Sequence, residues 1–189
     1  MTSIKKFFKK NKSIPIDVFF EKILYDSKYG YYVKKNPIGK NGDFITAPLI
    51  SPLFGEIIAI WIIIFWQNLN KPKNFNLIEL GPGDGSLSKI LLSVFKKFPD
   101  FYNSTNLYLY EKSKKLKKIQ KQKLIGEQKI FWLSNFDKIK RGKIFFIGNE
   151  FFDAIPIKQF QIINGILYEK FVKINKNLSI NFTLKKASK

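Results

Sequence analysis

Three closely spaced glycines and two carboxylates are the residues of this 189-residue chain best suited to hold a small charged molecule. Gly81, Gly83 and Gly85 follow a strand-like apolar segment and precede a helix-like segment. A strand, a glycine loop and a helix place backbone N–H groups and a helix N-terminus beside a ligand. Glu79 would repel a pyrophosphate there but would attract an ammonium or sulfonium group. Glu111, at the end of the next predicted strand, can accept hydrogen bonds from both hydroxyls of a ribose.

The spacing of these glycines separates two kinds of nucleotide site. A dinucleotide fingerprint reads G-x-G-x-x-G, whereas this chain reads G-x-G-x-G, with Pro82 inside the loop. The arrangement E-x-G-x-G-x-G, followed by an acid on the second strand, is similar to the pattern of S-adenosyl-L-methionine (SAM) methyltransferases. It predicts that SAM binds over Gly81 to Gly85, with its ribose on Glu111. The alternative is structural: the glycines make a tight turn and Glu111 caps a helix.

Further short motifs surround the loop in a fixed order. They are Tyr29–Tyr32, Pro37–Gly39, Gly42–Pro48, Phe54–Glu56, Glu79–Gly83 and Asn149–Pro156, together with a further element formed by Glu111, Ser113, Leu116 and Gln120. From about Ile14 to about Phe160 the chain resembles the MidA family of SAM-dependent methyltransferases, whose mitochondrial members methylate an arginine on a subunit of respiratory complex I during assembly. The resemblance implies protein arginine methylation and a protein substrate such as a complex I subunit.

The chain also departs from the family pattern. Leu49 stands where glutamate usually follows Thr-Ala-Pro, Asp84 stands where a basic residue is common, and Ser86 replaces threonine. The family's chains continue well past residue 189, and a seven-stranded methyltransferase sheet needs further strands. We therefore interpret the chain as truncated at its C-terminus, and a non-catalytic SAM-binding or assembly protein stays open as an alternative function.

The segment after the fourth predicted strand supplies the candidate catalytic groups. Asn149, Glu150 and Asp153 follow that strand at the carboxyl edge, where open α/β sheets bind ligands. For the arginine nucleophile that the resemblance implies, carboxylates can bind the guanidinium and accept its proton. Glu150 and Asp153 are three residues apart, so one helical turn would present both on one face. The alternative is that both acids cap the next element. Asp43 and Thr46 either line the cofactor entrance or stabilise their loop.

Alternating strand and helix patterns must position these groups. Residues 76–80, 107–110, 129–133 and 143–148 predict parallel strands, and residues 86–98 and 113–124 predict helices between them. Residues 14–25 predict a helix, and the run Ile57–Trp66 predicts a buried helix begun by Ser51-Pro52. Strands at 160–163, 166–174 and 178–184 predict an antiparallel β-meander. The predicted fold is α/β, with an N-terminal helical and loop segment (1–75), an incomplete Rossmann-like class I SAM methyltransferase sheet (76–156) and the meander (157–189).

Composition excludes several function classes. The chain has no cysteine and no histidine, which removes thiolate zinc sites, cysteine nucleophiles and imidazole bases, and we predict no metal site. The net charge of +20 favours nucleic-acid binding, but Arg141 is the only arginine among 34 basic residues. A protein that grips a phosphate backbone would be expected to use more arginine. A basic nucleic-acid-binding domain is therefore the least favoured function.

The sequence shows no secretory signal and no membrane segment. Residues 1–12 are basic and lack an apolar core. The longest apolar run, Ile57–Trp66, has ten residues, about half of the length that a membrane span needs. We therefore expect a cytoplasmic protein without a membrane span.

Overall fold

A computed structural model describes residues 13–34, 42–44, 47–175 and 179–187 of the chain. In chain order its elements are β1 (Ile14–Pro15), α1 (Ile16–Tyr25), α2 (Tyr31–Lys34), α3 (Ala47–Ile50), α4 (Pro52–Asn68), β2 (Phe75–Leu80), α5 (Ser86–Phe95), α6 (Pro99–Ser104), β3 (Thr105–Tyr110), α7 (Lys114–Lys123), β4 (Ile130–Leu133), β5 (Lys143–Ile147), a 3₁₀ turn (Phe152–Ala154), β6 (Phe160–Ile163), β7 (Ile166–Ile174) and β8 (Ile180–Lys186). None of these described helices is long and apolar enough to cross a membrane.

The chain divides into two compact units, one of which combines both of its ends. Residues 1–35 and 153–189 form one unit, and residues 36–152 form the other. The terminal unit combines both ends because β1, near the N-terminus, pairs with β7 of the meander. The division into three consecutive segments expected from the sequence stays a prediction.

The central unit contains a parallel sheet with the strand order β4-β3-β2-β5. Leu77 on β2 lies between Leu107 on β3 and Phe145 on β5. Strand β2 is buried on both faces, as the interior strand of a parallel sheet must be. The predicted α/β fold with a Rossmann-like parallel sheet is confirmed, and each predicted strand of this sheet lies within two residues of the observed one.

Helices α4, α5 and α6 cover one face of this sheet. Phe75, Leu77, Leu91, Phe95 and Phe101 are almost completely buried in the resulting core. Helix α5 ends at Phe95, three residues before the predicted end, because Pro99 begins the separate helix α6. Proline at the first turn of a helix loses no hydrogen bond, whereas inside a helix it would break one.

Helix α4 is buried on one side only, so the prediction of a buried helix at this run is wrong for its other side. Ala59, Ile62 and Trp66 face the core, but Ile57 and Trp61 are 59% and 54% exposed. The apolar run has no polar face, so any side that no other element covers must expose apolar atoms. Trp61 contacts Phe145 of the edge strand β5, with ring centroids 5.5 Å apart. Two other β5 side chains, Ile144 and Phe146, are also about half exposed.

The exposed side of helix α4, which includes Ile57 (59% exposed) and Ile64 (48% exposed), should cause the 189-residue protein to associate. Exposed apolar patches that are contiguous favour contacts between molecules. We expect sedimentation velocity to show association that grows with protein concentration, and we expect the double substitution Ile57→Glu, Ile64→Glu to reduce it. Ile125→Glu is the control, because Ile125 is 84% exposed but lies outside helix α4. A wild-type protein that stays monomeric at every concentration would contradict this prediction.

The terminal unit contains a four-stranded antiparallel sheet in which β7 pairs with β1, β6 and β8. Ile14 of β1 lies opposite Val172 of β7, and both side chains are buried together with Ile16 and Phe19 of helix α1. The predicted β-meander is confirmed over the described residues. Helix α1 begins at Ile16, and the first two residues of the predicted helix 14–25 instead form β1.

Candidate cofactor-binding site

The glycine loop that follows strand β2 has backbone angles that residues other than glycine rarely adopt. The φ angles of Gly81, Gly83 and Gly85 are 61°, 55° and 82°. The Gly81 N–H donates to the Tyr110 carbonyl of β3, at 3.0 Å, so the loop continues the parallel pairing for one residue. A Cβ on Gly81 would lie 2.7 Å from the Phe151 ring. The loop thus turns tightly, with glycine at three of its five positions, and leads directly into helix α5.

Asp84 links this loop to two neighbouring elements. Its carboxylate accepts hydrogen bonds from the Ser86 N–H at 3.0 Å and from the Ser86 hydroxyl at 2.9 Å. The Lys123 ammonium group on α7 forms an ion pair with Asp84 and donates to the Ser86 hydroxyl at 2.7 Å. Asp84 replaces a basic residue of the family pattern, and Lys123 supplies a positive charge to the same loop from a different helix. No pattern in the sequence indicates this ion pair.

Glu79 is a buried carboxylate on β2, two residues before the loop. Its side chain is 3% exposed, and it accepts a hydrogen bond from the Ser88 hydroxyl of α5. Burial raises the pKa of Glu79 to about 7, the Ser88 hydrogen bond opposes this shift, and the negative charge of Asp84 adds to it. None of the described residues forms an ion pair with it. A bound cation would therefore stabilise the ionised form of Glu79.

Glu111 follows strand β3 at the same edge of the sheet. Because β2 and β3 pair in parallel as far as Leu80 and Tyr110, the ends of the two strands lie side by side. One Glu111 carboxylate oxygen accepts the Ser113 N–H at 2.8 Å. Burial raises the pKa of Glu111, while the Ser113 and Gln120 hydrogen bonds oppose that shift. Glu111 is therefore oriented beside the loop and keeps acceptor capacity for a ligand.

The segment after β5 reaches the glycine loop through Phe151, whose ring lies against Gly81. Asn149 is partly buried, and Glu150 and Asp153 are exposed. Glu150 has a left-handed backbone with a φ of 50°, and the 3₁₀ turn begins only at Phe152. The expectation that one helical turn presents both acids is therefore not met. A left-handed conformation is unusual for glutamate, and such strain is concentrated at functional sites.

Asp43 and Thr46 are the other two residues predicted to contact the cofactor. Asp43 lies in the short described stretch 42–44 and is exposed. Thr46 lies outside the described residues. Gln120, which matches the family pattern together with Glu111 but had no role assigned from the sequence, is fully buried and donates to the Gly83 carbonyl at 2.8 Å.

These residues fit SAM. The cofactor carries an ammonium and a sulfonium, which the buried Glu79 can pair, and a ribose diol, which Glu111 can accept. The loop of positive-φ glycines allows the backbone to approach a ligand closely. Sequence and structure together thus define the class of protein as an α/β domain with a SAM-type cofactor site.

Residues 57–189 match the family described as "Putative S-adenosyl-L-methionine-dependent methyltransferase", and the chain belongs to this family. The resemblance to a SAM-dependent methyltransferase family and the predicted cofactor, SAM, are thereby confirmed.

Curated relatives include the protein arginine methyltransferase NDUFAF7, mitochondrial, of several animals. The Xenopus laevis protein is 34% identical in an alignment that covers 90% of this chain and 45% of the relative. The Homo sapiens protein is 32% identical in an alignment that covers 88% of this chain and 43% of the relative. The chain thus spans less than half the length of these curated relatives.

A crystal structure of a Burkholderia thailandensis protein bound to S-adenosyl-homocysteine has a similar fold. It matches with a TM-score of 0.77 and 23% identity over 98% of this chain and 49% of that chain. This likeness extends over both the parallel and the antiparallel sheet of the chain described above.

We expect Gly81→Ala to destabilise the protein and to weaken binding of S-adenosyl-homocysteine. A left-handed backbone costs a residue with a Cβ about 1–2 kcal/mol, and here the Cβ also collides with Phe151. Gly126→Ala is the matched control, because Gly126 has a φ of 81° and an added Cβ there would meet nothing within 4 Å. Urea denaturation and calorimetric titration measure both quantities. Equal losses in the two variants would show that the Phe151 contact does not matter.

Proposed function

We propose that this protein transfers a methyl group from SAM to an arginine nitrogen of a protein substrate. Membership of a SAM-dependent methyltransferase family supports the methyl transfer. The names of the curated relatives support arginine as the acceptor. The contact of Phe151 with Gly81 carries the proposal, since it ties the segment after β5, with its carboxylates, to the cofactor loop.

Each candidate residue has one role in this proposal. The glycine loop and Pro82 hold the cofactor, Glu79 pairs with its positive charge and Glu111 accepts its ribose hydroxyls. Bound SAM supplies an electrophilic methyl group on a sulfonium. Methyl transfer depends mainly on holding the nucleophile in line with the breaking bond.

Glu150 and Asp153, the acids after β5, would bind the substrate arginine. Glu150 accepts hydrogen bonds from the guanidinium, orients the attacking nitrogen and takes the proton that this nitrogen releases. Asp153 is the second carboxylate for the guanidinium, and Asn149 contacts cofactor or substrate through its amide. Asp43 and Thr46 are proposed to line the entrance.

The proposed partner is a protein, with a subunit of respiratory complex I as the first candidate, on the basis of the family resemblance. The curated relatives are named as mitochondrial proteins. The cytoplasmic location predicted for this chain stays a prediction.

The function is tested with the purified protein, SAM carrying a radioactive methyl group, and two peptides that differ only in arginine or lysine at one position. We expect label in the arginine peptide and methylarginine after hydrolysis. Label in the lysine peptide alone would contradict the proposal. Binding of SAM without methyl transfer to either peptide would favour the alternative function, a non-catalytic assembly protein. The observation that favours this alternative is Leu49, which replaces the usual glutamate.

A further inference from the structure

Helix α7 buries a glutamine on an otherwise lysine-rich surface. Leu116 and Gln120, four residues apart on the same face, are its buried side chains, and Gln120 is 0% exposed. A buried amide is costly unless its hydrogen-bonding groups are paired. Its partners therefore show why this position holds glutamine.

Three groups surround the Gln120 amide. Its Nε2 group donates to the Gly83 carbonyl at 2.8 Å and approaches a Glu111 carboxylate oxygen at 3.4 Å. Its Oε1 atom accepts the indole N–H of Trp132 on β4 at 2.9 Å. One side chain thus connects the glycine loop, the acid after β3 and the edge strand of the sheet.

Trp132 determines which way round the amide lies. An indole N–H can only donate, so the Gln120 oxygen must face Trp132. Both N–H bonds of Gln120 then point toward Gly83 and Glu111, which offer only acceptors. A flipped amide would leave the indole without an acceptor and place an oxygen beside the Glu111 carboxylate.

The amide also affects the charge of Glu111. Burial raises the pKa of this carboxyl, and the hydrogen bonds from Ser113 and Gln120 favour its ionised form. An ionised carboxylate accepts both hydroxyls of a ribose better than a protonated carboxyl, because protonation turns one of the two oxygens into an O–H donor. Gln120 thus acts on both the position and the ionisation of Glu111.

We propose that Gln120 is a positioning residue for SAM. Its amide, which Trp132 orients, holds the Gly83 carbonyl and the Glu111 carboxylate in the arrangement that recognises the ribose diol. This inference rests on the proposed role of Glu111. Gln120 itself does not touch the cofactor in this proposal.

The experiment compares the dissociation constant of S-adenosyl-homocysteine with that of an analogue lacking both ribose hydroxyls. For the wild-type protein we expect a ratio of at least about tenfold, since hydrogen bonds to a charged acceptor are strong. In Gln120→Met the ratio should fall to within about twofold of unity. Gln122→Met is the matched control, because Gln122 is exposed on the same helix and should keep the wild-type ratio.

Two further variants keep the test decisive. The first, Trp132→Phe, retains an aromatic ring but loses the indole N–H, so it should lower the ratio while the protein stays folded. A wild-type ratio in both Gln120→Met and Trp132→Phe, with lower thermal stability, would make Gln120 a structural residue and overturn the inference.

The second variant, Glu111→Ala, separates this outcome from a failure of the site itself. If Glu111→Ala keeps the wild-type ratio, the assignment of Glu111 to the ribose is wrong and the inference falls with it. If Glu111→Ala lowers the ratio to about one and Gln120→Met does not change it, only the inference about Gln120 fails.

Discussion

Glu79→Gln should stabilise the folded protein at pH 8 and remove most of its affinity for SAM. The pKa of Glu79 is raised from 4.5 to about 7, mainly by burial. Below pH 4.5 the carboxyl is protonated in both the folded and the unfolded state. Between pH 4.5 and 7 the unfolded chain releases the proton while the folded chain retains it, so the stability contributed by this residue falls as the pH rises. Above pH 7 the loss is complete and amounts to about 3 kcal/mol.

Urea denaturation of both proteins from pH 4 to pH 8 measures this effect. The difference in the free energy of unfolding between Glu79→Gln and wild type should grow in favour of the variant between pH 4.5 and 7. Ser88→Ala is a useful comparison, because the Ser88 hydrogen bond favours the ionised carboxylate. A difference that does not change with pH would contradict the raised pKa.

The binding effect has the opposite sign. A cationic ligand needs the ionised carboxylate, so SAM should bind wild type more weakly at pH 5.5 than at pH 8. Loss of a charged partner in a buried site costs about 2 kcal/mol, or roughly thirtyfold in affinity. Calorimetric titration of Glu79→Gln with SAM measures it. Wild-type affinity in this variant would show that Glu79 does not contact the cofactor's charge.

Glu150→Gln should lower the rate of methyl transfer by about a hundredfold and leave the affinity for S-adenosyl-homocysteine within about twofold of wild type. The amide retains the size of the side chain but can neither bind a guanidinium as a counter-ion nor accept its proton. Single-turnover transfer and calorimetric titration give the two quantities. Equal losses in rate and affinity would make Glu150 a cofactor-binding or structural residue.

The variant Glu150→Gly tests whether the Glu150 side chain only strains the backbone or also supports the fold. Glycine adopts the observed φ of 50° without steric cost. If the glutamate is retained for catalysis, the glycine variant should be at least as stable as wild type and should transfer methyl groups as slowly as Glu150→Gln. A clear loss of stability would show that the Glu150 side chain supports the fold.

The parallel sheet and the cofactor loop were predictable because their signals are local. An apolar segment followed at once by Gly81, Gly83 and Gly85 predicts a strand, a glycine loop and a helix, and all three are present. Glu79 and Glu111 were expected beside the loop, because the carboxyl ends of adjacent parallel strands lie together. The raised pKa of Glu79 depends on its burial, which the sequence pattern alone does not quantify.

The features that the sequence did not predict depend on distant partners. Ile14 and Pro15 continue an apolar helical pattern, and only pairing with Val172 and Phe171 makes them a strand. Helix α4 was expected to be buried because its run is apolar, but the extent of burial depends on which elements lie against each side. The partners of Asp84 and Gln120 lie on α7 and β4, so no spacing in the chain indicates them.

The pairing of β1 with β7 also constrains the order in which the chain can fold during synthesis. Ile14 leaves the ribosome early, but its partner Val172 is made 158 residues later. Until then the apolar side chains of Ile14, Ile16 and Phe19 have no native sheet to pack against. The unit formed by residues 36–152 has all its strands earlier and can reach its native contacts first. We therefore expect nascent chains that stop before β7 to contain a protease-resistant parallel sheet and a protease-sensitive N-terminal segment.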